Sequence, residues 1–130
     1  MSLEPGIKGT ASCTVSDKHT ARSLRSGGLD VLATPIMVAL MEEAALTSVR
    51  PYLDPGMDTV GTRLDVSHDS ATPVGMRAWA ESELVEIDRR RLVFKVRAFD
   101  EAGPIGEGTH ERFIVNVEKF TAKCQSKLEK

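Results

Sequence analysis

The sequence predicts an α+β domain in which a curved antiparallel sheet wraps around one apolar helix. Three observations carry that expectation. Thr34–Arg50 opens with a helix-start pair, Thr34-Pro35, and has no polar residue from Ile36 to Met41. A helix apolar on all sides over its first turns must be covered on most of them. A period-two segment precedes it, and four more such segments follow, joined by short turns. At 130 residues the chain fits a single domain, 1–130.

Taken in order, Gly9–Val15 alternates Thr10, Ser12 and Thr14 with Ala11, Cys13 and Val15, and reads as a strand. Ser16–Asp30 is polar, contains Gly27-Gly28 and reads as a loop with one helical turn at His19–Leu24. A connector of that length in a small domain is commonly a lid or a binding segment. The helix follows, with Thr34 as N-cap and Pro35 at its first position. Pro51 stops it, because the residue before a proline avoids helical geometry.

Asp54-Pro-Gly-Met57 is a turn, and Thr59–Ser67 a strand with Leu64, Val66 and His68 on one face. Ala71–Gly75 breaks it. Met76–Ile87 places Ala78, Ala80, Ser82 and Leu84 on one face, small enough for a helix to approach closely. After a turn at Asp88–Arg91, Leu92–Asp100 aligns Leu92, Phe94, Val96 and Ala98. Glu101–Pro104 turns the chain into a last strand, Ile105–Val117, and the charged tail Glu118–Lys130 frays or ends in helix. One helix covers only part of one sheet face, so apolar surface remains for a partner; a homodimer is the expectation, since C2 pairing is the commonest oligomer.

Composition narrows the partners. The formal net charge is −2 and no run of five like charges occurs, which speaks against nucleic acid. The apolar run Ile36–Met41 is far short of the roughly 20 residues a spanning helix needs, so no membrane partner is expected. The two cysteines, Cys13 and Cys124, stand near opposite ends without metal-ligand spacing. They read as free thiols in a reducing, cytoplasmic compartment, and no metal is expected.

Six blocks stand in order along the chain: Ala33-Thr-Pro-Ile-Met-Val-Ala-Leu-Met-Glu42, Arg50-Pro-Tyr-Leu-Asp-Pro-Gly56, Val60-Gly-Thr62, Val66-Ser-His68, Ala71-Thr-Pro-Val-Gly75 and Ile105-Gly-Glu-Gly-Thr-His-Glu-Arg112. The tail Val117–Lys123 fits as well. In these blocks, over about residues 31 to 123, the chain resembles the fluoroacetyl-CoA-specific thioesterase-like branch of the hotdog-fold thioesterases. The resemblance implies a hotdog fold and hydrolysis of a short-chain acyl-CoA thioester to free acid and coenzyme A, with no cofactor beyond the coenzyme A of the substrate. It implies that Thr34, Glu42 and His68 act together on the thioester and that Gly61 lies by the acyl group. The family's lid is aromatic, whereas Lys18–Ala33 has no phenylalanine; a short acyl group other than fluoroacetyl is expected.

The residues bear their own reading beside this. Thioester hydrolysis needs a base or nucleophile, a donor for the developing oxyanion and a place for the acyl chain. Glu42 lies among Val38, Ala39, Ala45 and Leu46 at helical spacing, so desolvation is expected to strengthen it as a base, either activating water or attacking directly. Thr34 sits at the helix N-terminus, where backbone N–H groups favour a negative oxygen. His68 can orient Glu42 or Thr34, or protonate the leaving thiolate. Read singly, the three are an N-cap, a paired helix carboxylate and a core histidine. Arg112 either holds a phosphate of coenzyme A or pairs with a carboxylate; His110 shares its strand face. Arg89–Arg91 form a solvated turn or meet phosphates, and Glu43 is expected to pair with Arg50. Two further readings stay open on the same fold: a non-catalytic acyl-CoA binding module, and a hydratase or dehydratase that leaves the thioester intact.

Overall fold

The computed structural model describes residues 2–129. Seven principal elements follow the expected order: β1 (Lys8–Thr14), α1 (Thr34–Val49), β2 (Met57–Val66), β3 (Arg77–Asp88), β4 (Arg91–Asp100), β5 (Gly103–Asn116) and α2 (Val117–Gln125). The strands form one antiparallel sheet in the order β1-β3-β4-β5-β2, curled about α1. The inner face is the one the alternation marked: Ala78, Ala80, Ser82 and Leu84 of β3 and Leu92, Phe94, Val96 and Ala98 of β4 are all buried. Small residues on β1 and β3 let α1 lie close. A Cβ on Gly9 would collide with the Ala44 carbonyl oxygen and stand 2.7 Å from Ser48 Cβ. Glycine is therefore required where β1 passes under the helix.

Two features of β2 were not legible locally. β2 joins β5 and forms one edge of the sheet, and Ser67–Met76 carries the chain across to β3. β2 also slips register between Gly61 and Arg63, leaving Thr62 as an extra residue. Such a bulge resets the alternation. Thr59 and Gly61 before it, and Leu64 and Val66 after it, are thus opposite Ile114, Arg112, His110 and Gly108 on one face.

The helix departs from expectation at both ends and along one side. Its N-cap is Ala33, with no side-chain cap; Thr34 is the first helical residue and Pro35 the second. Beyond Val49 the chain tightens into a 3-10 turn, Arg50–Tyr52, so Pro51 narrows the helix instead of ending it abruptly. Met37, Leu40, Met41, Ala44, Ala45 and Val49 are buried against the sheet. Pro35 and Ala39 are exposed, and Glu42 and Leu46 half-buried. The sheet covers one side of α1 and leaves a stripe open, with Glu42 in the middle of it. The tail ends in helix: Asn116 caps α2 by accepting from the Lys119 N–H at 3.0 Å.

Candidate active site

Thr34 and His68 come together from distant parts of the chain. Ala33, just before α1, donates its N–H to the His19 carbonyl at 2.8 Å, and Leu32 donates to the Thr72 carbonyl at 2.9 Å. On the other side, the Ser67 N–H donates to Glu107 O at 2.9 Å and the Asp69 N–H to Ile105 O at 2.6 Å, fixing the chain on either side of His68 to β5. Thr72, fully buried, donates its hydroxyl to Asp100 at 2.7 Å and locks the rest of this segment to the end of β4. Held this way, Thr34 Oγ1 and His68 Nδ1 stand 2.7 Å apart. They line a cleft of about 260 Å³ with Ala21, Val31 and Ser70. His68 Nε2 is buried and has no hydrogen-bond partner among the described residues.

The helix end itself offers less than expected. Pro35 has no N–H, and the Ile36 and Met37 N–H groups both donate to Ala33 O, at 3.0 and 3.1 Å. Because Thr34 is not the cap, its hydroxyl is free to meet His68. Side chains, more than first-turn amides, make this end of the helix polar.

Glu42 belongs to a second cluster. Thr34 and Glu42 are eight residues apart on one helix, so they are separated by about 12 Å along its axis. Glu42 is less buried than its apolar neighbours implied; its side chain is 42% exposed. Its Oε2 faces Arg112 Nη1 at 3.8 Å. Arg112 is buried and donates from Nε to Thr59 Oγ1 at 2.8 Å and from Nη2 to Thr59 O at 3.0 Å. Burial pushes its pKa down, while Glu42 and Asp58 pull it back up. Of the two roles open to Arg112, the geometry favours the carboxylate, since so buried a guanidinium is out of reach of a phosphate at the surface. Glu43 takes no part, and its expected partner Arg50 binds Asp58 instead, at 2.9 and 3.2 Å.

Gly61 is the opening in front of this cluster. A Cβ there would stand 2.7 Å from Glu42 Oε2, 3.3 Å from His110 Cε1 and 3.4 Å from Arg112 Nη1. Gly61→Ala is expected to fold, because the carboxylate is the far end of a flexible side chain and can move. A move of about an ångström in this carboxylate is expected to lower kcat for thiol release about 10- to 100-fold. Thiol release beside a thermal melt checks both halves of that expectation.

His110 was not singled out as a functional residue. It is 1% exposed and touches Arg112. The available signal was its parity with Arg112, two polar side chains on one face of a strand whose neighbours face the core. A cleft of about 540 Å³ lies elsewhere, on the outer face of the sheet among Lys8, Arg77, Trp79, Lys95 and Arg97, and contains none of these groups.

A model of the fluoroacetyl-CoA-specific thioesterase family matches residues 15–118. The fluoroacetyl-CoA thioesterase of Streptantibioticus cattleyicolor is 44% identical over 98 residues, 75% of this chain and 70% of that protein. Among solved structures, a threonine-to-serine variant of the fluoroacetyl-CoA thioesterase in complex with acetyl-CoA superposes with a TM-score of 0.91 at 37% identity, covering 96% of this chain and 98% of that one. A thioesterase-superfamily protein of Thermus thermophilus superposes at 0.90 with 26% identity, covering 98% and 94%. With its central helix in a curled antiparallel sheet and a match over most of its length, this chain belongs to the fluoroacetyl-CoA-specific thioesterase family and is a hotdog-fold thioester hydrolase.

Proposed function

We propose that the chain hydrolyses short-chain acyl-CoA thioesters at a site built from Thr34, His68 and Glu42, with Gly61 leaving room for the acyl end. The observation that carries this reading is the Thr34–His68 contact of 2.7 Å. With the Thr34 hydroxyl donating to Nδ1, the neutral ring carries its proton on Nε2, the atom without a partner among the described residues. That N–H serves the developing oxyanion and then the departing thiolate sulfur. Glu42 takes a proton from the attacking water. The C–S bond breaks, the acid leaves with the water oxygen, the proton held by Glu42 passes to the thiolate, and coenzyme A leaves as the thiol. Arg112 supplies positive charge beside Glu42 without coordinating the substrate.

The separation of the two clusters supports a homodimer. No single thioester carbonyl reaches both Thr34 and Glu42 of one helix when about 12 Å of rise lies between them. The stripe Ala39, Glu42 and Leu46 is uncovered, and β2 at the sheet edge has unpaired backbone groups alongside it. A second copy packed on this face covers the stripe and brings Glu42 of one protomer to the Thr34–His68 pair of the other. The free thiols Cys13 and Cys124 fit a cytoplasmic location.

The acyl group follows from the segment above the cleft. Between Thr20 and Leu32, which bridge one another, the chain places Ala21, Ser26 and Val31 at the opening and has no aromatic ring. A cleft of about 260 Å³ suits a small acyl group. Free-thiol release measured over acyl-CoAs of increasing length tests the reading. Turnover should be greatest for the shortest chains and fall with length, with no preference for fluoroacetyl over acetyl. Saturable binding with no thiol released from any of them would leave only a binding module.

A further inference from the structure

We infer that His110 is a positioning residue: its Nε2 holds the Arg112 guanidinium so that it faces Glu42 without forming a hydrogen bond to it. The protonation of His110 is fixed by its partners. Nδ1 lies 2.9 Å from the Arg63 carbonyl oxygen, which can only accept, so Nδ1 carries the proton. Nε2 lies 3.1 Å from Arg112 Nη1, which can only donate, so Nε2 presents its lone pair. Both conditions hold together only for one neutral tautomer. The Phe94 ring stacks on the imidazole at 6.2 Å.

The surroundings of the ring agree with a neutral state. Burial pushes the His110 pKa below the ordinary histidine value, and the Arg112 charge adds to that; the Arg63 carbonyl, Glu42 and Glu111 act in the opposite direction. These groups come from β2, α1 and β5, the elements that supply charged or polar atoms around the ring.

The consequence falls on Arg112. Thr59 engages Nε and Nη2, and His110 engages Nη1. Glu42 Oε2 is 3.8 Å from that same Nη1, inside the range of an ion pair and outside that of a hydrogen bond. An arginine left to itself closes a two-pronged pair on a carboxylate. Such a pair would occupy the oxygens that water or substrate must reach. His110 opposes this by accepting one of the two hydrogens of Nη1, the nitrogen nearest Glu42, and so fixing the plane of the guanidinium 3.8 Å from the carboxylate. The carboxylate thus has a neighbouring cation and unoccupied lone pairs.

The inference rests on the reading of Glu42 as a reacting group, and its test separates the two. In His110→Leu the acceptor is lost, Nη1 turns to Glu42, and kcat for thiol release should fall about 10- to 100-fold with KM little changed. His110→Gln restores an acceptor near the Nε2 position and should recover most of kcat. Nitrogen-15 NMR of the unaltered protein should show His110 protonated on Nδ1 only at neutral pH, whatever Glu42 does. A His110→Leu enzyme with wild-type kcat overturns the inference. So does equal damage in the Leu and Gln variants, or a His110 ring found protonated on Nε2 at neutral pH. If His110 has the expected tautomer and Glu42→Gln is fully active, the reading of Glu42 fails instead.

Discussion

Glu42→Gln should abolish most thioester hydrolysis: kcat is expected to fall by about 10²- to 10⁴-fold, the range a positioned general base supplies. The substitution keeps the shape of the side chain and an oxygen facing Arg112, and removes only the charge and the basicity. Glu42→Ala should be equally inactive but also less stable. Both variants remove the charge 3.8 Å from the buried Arg112 cation, but Ala also removes the oxygen that faces it, and stripping one partner from a buried ion pair costs about 3–5 kcal/mol. Because Glu42 is 42% exposed, the loss here belongs at or below the bottom of that range. Measuring thiol release and melting temperature on both variants separates chemistry from stability. An active Glu42→Gln enzyme would remove Glu42 from the mechanism altogether.

The contrast between Glu42 and its expected environment shows where sequence reasoning reaches its limit. Helical spacing correctly put Val38, Ala39, Ala45 and Leu46 around it. Spacing alone does not say which of those neighbours has the sheet behind it. Ala45 does; Ala39 faces outward, and Glu42 with it. The run Ile36–Met41 was apolar because two different surfaces need it, the sheet on one side and the open stripe on the other. The strands were legible for a better reason. Alternation in β3 and β4 has only two phases, and Ala78, Ala80, Leu84, Leu92, Phe94 and Val96 could belong only to the inner one.

Non-local pairings were less legible. Nothing near Gly61 in the chain announces that it lies opposite Arg112, or that a bulge at Thr62 shifts the phase of β2. The Thr34-Pro35 pair was ambiguous by one residue. Placed as N-cap, Thr34 would have used its oxygen on the helix; placed as the first helical residue, it gives the oxygen to His68. The expectation that Thr34, Glu42 and His68 stand together came from family resemblance. The geometry of one chain unites the first and third and holds the second about two helical turns away.

That separation leads to the second large effect, which concerns mixtures of variants. In the proposed homodimer, the Glu42→Gln and His68→Ala proteins prepared separately should each be nearly inactive, since each has the same defect at both sites. If every site takes Glu42 from one protomer and the Thr34–His68 pair from the other, a mixed dimer is different. One of its sites collects both substitutions and the other collects neither. Unfolding and refolding an equal mixture at random makes half of the dimers mixed, so about a quarter of wild-type activity should reappear. Sites built within single chains give the opposite result, because every site in every dimer then has one defect. The partners of His68 make it suitable for this test. Its ring contributes one side-chain hydrogen bond, to Thr34, while the backbone around it is held by Glu107 and Ile105 of β5. His68→Ala should therefore keep its fold and its dimer, and the recovered activity should report on the site alone. A mixture no more active than its components, with mixed dimers demonstrated by mass, would place the whole site in one protomer and require Glu42 and Thr34 to act on different parts of the substrate.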